Sequence, residues 1–204
     1  MSRVTWADVT QALASRAPTQ VAEEVARRAA VAVILREGAA GLEILFIRRA
    51  EHPGDPWSGQ IAFPGGRAEP GDADLRVTAI RETAEEIGLD LVAHAEPLGA
   101  LDEVRAMARM RPMNLAIAPF VFRLVGNSPE FNLSPEVYSV HWLPLEELLG
   151  PDRRSLMDYV HQGTALQFPC LRIEGLVIWG LTFRMFSSLE AVLGAVAGGE
   201  AQRT

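Results

Sequence analysis

The sequence predicts one α/β or α+β domain, on three observations. Ala29–Leu35 (AAVAVIL) and Leu42–Ile47 are short apolar runs, and the first has the unbroken apolar character of a strand buried on both faces. Residues 75–87 carry apolar side chains at helical spacing, between Asp74 as N-cap and Gly88 as stop. Strand-like and helix-like patterns then alternate through the rest of the chain.

In chain order, residues 4–16 and 19–28 read as two short helices divided by Pro18, with Leu13, Val21 and Val25 as buried positions. They make residues 1–28 an N-terminal helical extension to a domain over 29–204. Gly38 and Gly41 mark a hairpin between the first two strands, and Pro53, Gly54 and Pro56 an exposed ordered loop over 51–58. After the central helix, residues 91–101 contain a strand leading to Asp102 and Glu103. A charged loop with Arg105, Arg109 and Arg111 follows, then a strand over 114–124. Asn127-Ser128-Pro129 is a turn and 130–136 a loop. Val137–Leu143 is a strand, and 144–149 a short helix opened by proline. A late hairpin, 156–161 with 165–173, turns at Gln162-Gly163. Residues 175–179 lead to a last helix over 181–196, and AGGEAQRT reads as a disordered tail.

The chemistry concentrates in Phe63–Leu89, FPGGRAEPGDADLRVTAIRETAEEIGL. At about 100° per residue, Glu82, Glu85 and Glu86 fall within an arc of roughly 100°. Val77, Ile80, Ala84 and Ile87 are expected on the opposite, sheet-facing side. Three carboxylates on one stripe repel one another unless a cation sits among them, and all-oxygen ligands suit Mg²⁺ or Mn²⁺. Pro64-Gly65-Gly66 permits a tight turn whose carbonyls can join such a shell. The plain alternative is an amphipathic helix with a solvated acidic face; the Gly-rich entry and Gly stop favour the metal.

These residues resemble the Nudix hydrolases, whose signature is G-x5-E-x7-R-E-U-x-E-E-x-G-U with U apolar. Arg81-Glu82-Thr83-Ala84-Glu85-Glu86-Ile87-Gly88-Leu89 matches the downstream half, with Thr83 at the first U. The upstream half departs by one extra residue. Gly59-Gln60-Ile61-Ala62-Phe63-Pro64-Gly65-Gly66, followed by Glu69 and Asp72, is similar to a coenzyme A pyrophosphatase subgroup. Ile178-Trp179-Gly180-Leu181-Thr182 resembles that subgroup's C-terminal segment. Where the subgroup has a further arginine four residues before the first glycine, this chain has Asp55.

The resemblance implies a Nudix fold, a mixed β-sheet sandwiched between α-helices. It also implies metal-dependent hydrolysis of a nucleoside diphosphate linked to a second group, most specifically coenzyme A or acyl-CoA. On this reading Glu82, Glu85 and Glu86, with the Gly66 carbonyl, hold Mg²⁺ or Mn²⁺. Arg81 orients the glutamates, and Glu136 or Glu103 is the general base. Arg48, Arg49, Gln60, Arg105 and Arg109 meet the substrate. The alternatives are a pyrophosphatase for other such conjugates or oxidised nucleoside triphosphates, and a non-catalytic module of the same fold.

Composition narrows the partners. The 204 residues carry a formal charge of −7, the reverse of the basic footprint of a nucleic-acid binder. An anionic substrate must then be met by local arginines and metal. Cys170 is the only cysteine, which excludes an intrachain disulfide or a cysteine metal cluster and reads as a buried thiol. No apolar run reaches membrane-span length and the start lacks a signal-peptide core, so a cytoplasmic location is expected. A homodimer is compatible with the sequence. His141 reads as a structural histidine, and His52, His94 and His161 lack metal-ligand spacing.

Overall fold

The computed structural model of the chain describes residues 3–21, 25–55, 57–108, 111–126, 130–161 and 164–200, without the side chains of 108, 161, 164 and 195–200. The elements run α1 (Trp6–Ala14), β1 (Arg27–Gly38), β2 (Gly41–Arg49), β3 (Ile61–Ala62), β4 (Gly65–Arg67), α2 (Leu75–Ile87) and α3 (Leu91–His94). There follow β5 (Ala95–Ala100), β6 (Val104–Ala108), β7 (Arg111–Leu124), β8 (Val137–Pro144) and α4 (Leu145–Leu149). A 3₁₀ turn (Pro151–Arg153), β9 (Arg154–His161), β10 (Thr164–Ile173), β11 (Leu176–Trp179) and α5 (Gly180–Glu200) complete the order.

The central strand β1 explains the layering. Its odd residues Ala29, Val31, Val33 and Leu35 join one apolar cluster, with α1, α4 and α5. Its even residues Ala30, Ala32 and Ile34 join another, with Ala79 and Ile87 of α2 and Leu91 at the start of α3. Period-two alternation therefore places the sheet between two helical layers. The sheet has eight strands, with the path β3-β2-β1-β7-β5 and with β4 on β1, β6 on β7 and β8 on β2. It is mixed: β1 and β7 run parallel from Arg27↔Leu115 to Leu35↔Arg123, and the other pairs are antiparallel. A second sheet, β11-β10-β9, packs through α5.

The first two strands, the hairpin at Gly38↔Gly41, and α2 between Asp74 and Gly88 stand as the sequence predicts. Cys170 is buried, and no helix among the described residues is long and apolar enough to cross a membrane. Four expectations are corrected. The helix over 19–28 is not formed in the described part of that span, and β1 already begins at Arg27. Asp102 and Glu103 accept the Thr19 and Val21 amides at 2.6 and 2.9 Å, and Glu103 N–H returns to the Thr19 carbonyl. Those amides are thereby withdrawn from any helix. The 105–111 loop is instead β6 and the start of β7, with Arg109 outside the described residues. On α2 the buried face is Thr78, Ala79, Thr83 and Ile87, with Ala84 exposed. Thr83 tolerates burial because its hydroxyl donates to the Ala79 carbonyl at 2.7 Å. Finally, α5 continues to Glu200 through part of the expected tail, leaving only 201–204 of it undescribed.

Candidate active site

Helix α2 starts where the Asp74 carboxylate caps the Val77 amide, and ends where Gly88 turns left-handed at φ 71°. Between these ends Glu82 and Glu86 are one turn apart on a flank that meets β4. The β4 glycines allow the contact. A Cβ on Gly66 would lie 2.4 Å from the Glu82 carboxyl group. Gly65, at φ 148°, would place one 2.2 Å from the Ala30 carbonyl oxygen. Only glycines let the strand pass between β1 and the helix carboxylates.

Glu86 is almost enclosed, and the Gly65 N–H donates to its Oε2 at 2.8 Å. Its only cationic neighbour among the described residues is Arg49, 4.0 Å away. Burial pushes its carboxyl pKa up to about 7. The Gly65 N–H and Arg49 act against that rise, and Glu82 and Glu136 add to it. Burial also raises Glu82; Arg81 opposes this, and Glu85 and Glu136 reinforce it.

Arg81 serves as the clamp. Its guanidinium donates to Asp72 at 3.1 Å, to Glu82 at 3.1 Å, to Glu85 at 3.0 Å and to the Arg67 carbonyl at 3.0 Å. Asp72, hydrogen-bonded by Arg81, the Glu69 N–H and the Thr78 hydroxyl, stays far below the usual carboxylate range. It is committed to holding Arg81.

The carboxylates open into a cavity of about 580 Å³ that also reaches Arg49, Trp57, Gln60, Gly65, Gly66 and Glu136. Glu136 arrives on the 131–136 segment, which is anchored to the end of α2. The Asn132 and Ser134 amides donate to the Ile87 and Glu86 carbonyls, and the Ala50 amide to the Glu136 carbonyl. Glu103 lies elsewhere, paired to Arg28 and accepting the Val21 amide. The structure thus brings together Glu82, Glu85, Glu86, Glu136, Arg81, Arg49, Gln60 and Gly66.

Two predicted substrate contacts are not brought in. Arg48, on the opposite side of β2 from Arg49, lies over the Tyr138 ring at 5.1 Å and 3.9 Å from Glu51. Strand alternation turns consecutive side chains to opposite faces. Arg105 is held along its hairpin, its Nε donating to the Met113 carbonyl at 3.1 Å. Asp55, where the subgroup has arginine, binds Arg49 at 2.9 Å. His141 has the structural role expected of it, 2.8 Å from the Ser139 hydroxyl.

One wall of the cavity is formed by Leu181, Thr182 and Met185 of α5; the sequence marks Leu181 and Thr182 only through the resemblance of 178–182 and gives them no role there. The Thr182 hydroxyl donates to the Ile61 carbonyl at 2.9 Å, across 121 residues. Local pattern carries no signal for such a contact.

As they stand, no three His, Cys, Asp or Glu side chains among the described residues converge into a single-ion shell. The donor chemistry nevertheless fits a hard cation. A buried carboxylate, Glu86, and a half-buried one, Glu82, repel each other and have raised pKa values that a cation would reverse, and such ions take one or two carboxylates plus water and phosphate oxygens.

A family model described as NUDIX domain matches residues 26–161. The chain belongs to the Nudix hydrolase family. That assignment accounts for the mixed sheet between helices and for the Gly-loop and glutamate-helix pairing at its edge; Nudix hydrolases generally use divalent metal ions. A Yersinia pestis relative, "Uncharacterized Nudix hydrolase NudL", is 32% identical over 143 residues, covering 68% of this chain and 66% of that protein. Among solved structures, the MutT protein from Methanosarcina mazei Go1 shares the Nudix fold. Its TM-score is 0.50 at 19% identity, over 91% of this chain and 98% of that one.

Proposed function

We propose that this Nudix protein is a Mg²⁺- or Mn²⁺-dependent pyrophosphohydrolase of nucleoside diphosphates linked to a second group X, releasing NMP and X-phosphate. Its preferred substrates are coenzyme A and acyl-CoA, cleaved in the cytoplasm to 3′,5′-ADP and (acyl-)4′-phosphopantetheine. The observation that carries the reading is the convergence of Glu82, Glu85, Glu86 and Glu136 on one cavity beside Arg49. Glu86 is buried and Glu82 half-buried there, a placement of like charge that a bound cation would relieve.

Glu82 and Glu86, with Glu85 and the Gly66 carbonyl, would hold the metal, which when bound neutralises the pyrophosphate and makes water more acidic. Arg81 fixes the Glu82 and Glu85 carboxylates through Asp72 and Arg67. Glu136 lines the same cavity and is the group assigned to take the proton from the attacking water. Arg49, whose Nε is buried with no acceptor among the described residues, receives a substrate phosphate oxygen. Gln60 contributes a neutral hydrogen-bonding edge.

A second reading, cleavage of conjugates lacking the extra 3′-phosphate, is favoured by one observation: Asp55 already engages Arg49. The deciding experiment is a panel with product identification: coenzyme A, acyl-CoA, NADH, ADP-ribose, diadenosine polyphosphates and dNTPs. Faster cleavage of ADP-ribose or a dinucleotide than of coenzyme A would leave the second reading. No cleavage of any member would remove both.

A further inference from the structure

The cavity has two chemically different sides. One is α2, with its glutamates and Arg81. The other is α5, which contributes Leu181, Thr182 and Met185 and no charged group. The Thr182 hydroxyl is spent on the Ile61 carbonyl. The nearest charge on that helix, Arg184, is exposed and donates to the Arg105 backbone carbonyl. Leu115 and Ile117 of β7 line the same cavity and belong to the same apolar cluster as Met185.

A ligand spanning this cavity therefore meets cation-seeking carboxylates at one side and an apolar wall at the other. A second phosphate or carboxylate placed against Leu181 would lose hydration without gaining a partner from α5; on the sheet side, Arg67 of β4 is a cation that lines the cavity. An uncharged chain would gain buried apolar area instead.

We infer that Leu181 and Met185 form a binding wall for an uncharged, apolar segment of group X, with Thr182 positioning that wall against β3. This rests on the pyrophosphohydrolase reading above. It gives a role to the Trp179-Gly180-Leu181-Thr182 segment, which carries no catalytic chemistry of its own. It makes the chemical character of X, rather than the nucleotide alone, a determinant of specificity.

The test uses alkyl esters of the ADP β-phosphate (methyl, butyl, hexyl and octyl) together with an ω-carboxyalkyl ester as long as the hexyl. Water attacks phosphorus and the P–O–P bond breaks, so each ester yields AMP and an alkyl phosphate, and none requires the coenzyme A reading to hold. With the full chain and Mg²⁺, kcat/KM is expected to rise with chain length, by up to about fourfold per methylene while the chain is being buried. The carboxylate-ended ester should fall at least about tenfold below the hexyl ester. Leu181→Asn, at a half-buried position, should flatten the chain-length slope. A flat series in the wild type, or equal rates for the charged and uncharged ends, overturns the wall while leaving the hydrolase reading standing. If no ester is hydrolysed, calorimetric binding of the same esters decides: affinity rising with chain length keeps the wall, and uniform affinity removes it, while the hydrolase reading is decided by the substrate panel.

Discussion

The Gly65 N–H donates to Glu86 Oε2 at 2.8 Å, joining the glycine strand to the helix carboxylates through the most enclosed acid of the site. A glutamine at 86 can still accept that bond but brings no charge. Glu86→Gln should therefore keep the fold and lower kcat by about a hundredfold or more. Steady-state kinetics at saturating Mg²⁺ checks this, and a near wild-type rate would remove Glu86 from the ligand set.

The same carboxylate sets a pH dependence in the metal-free protein. Its pKa is about 7 when folded against 4.5 ordinarily, so between those values the folded state holds a proton that the unfolded chain releases. Stability from this group is thus greatest at the acid end of that window and is lost as pH rises through 7. In chelator, Tm should be roughly 5 °C lower at pH 8 than at pH 6. Glu86→Gln should remove most of that difference, and Mg²⁺ should raise the wild-type Tm more at pH 8. A wild-type Tm equal at both pH values would contradict the buried, charged assignment.

The two β4 glycines should fail differently. Alanine at 65 meets the Ala30 backbone at 2.2 Å with φ at 148°, and neither can yield cheaply. Gly65→Ala is expected to cost about 2–4 kcal/mol in denaturant unfolding. Alanine at 66 meets the Glu82 carboxyl, the end of a side chain that can swing away. Gly66→Ala should cost under about 1.5 kcal/mol yet lower kcat at least about tenfold by displacing Glu82. The reverse ranking in the two assays would refute this division.

The adjacent arginines offer an internal control. Arg49 lines the cavity and Arg48 stacks on Tyr138 outside it. Arg49→Gln should raise KM for coenzyme A by about tenfold, and by less for dephospho-coenzyme A if Arg49 reads the 3′-phosphate. Arg48→Gln should leave both within about twofold. Equal losses for the two substrates in Arg49→Gln would assign that arginine to the shared pyrophosphate.

What the sequence made legible was whatever is set locally. The Asp74 cap, the Gly88 stop and the three helix glutamates are fixed by neighbours within one or two turns, and they stand as read. The apolar run of β1 signalled burial on both faces because each face meets its own cluster. Misreadings arose where distant groups decide. The 19–28 segment has helical spacing, but Asp102, Glu103 and Asn114 take its amides. Thr83 looked polar and Ala84 apolar, yet a hydroxyl that bonds one turn back can be buried while a small methyl is left outside. Arg48 and Arg49 are neighbours in sequence, and only strand geometry sends one of them to the cavity.

The bond from Thr182 to Ile61 has a consequence for synthesis. A chain emerging N-terminus first carries Glu82, Glu85, Glu86 and Glu136 by residue 136, but the helix that closes the opposite wall begins only at Gly180. The parallel β1–β7 ladder likewise waits for residues 115–123. Until the last helix docks, the nascent domain holds a cluster of unneutralised carboxylates beside an uncovered apolar floor, a stage at which it is poorly defended against aggregation. The residues that finish the pocket are therefore also those that end this exposure, so their loss should reduce soluble yield as well as turnover.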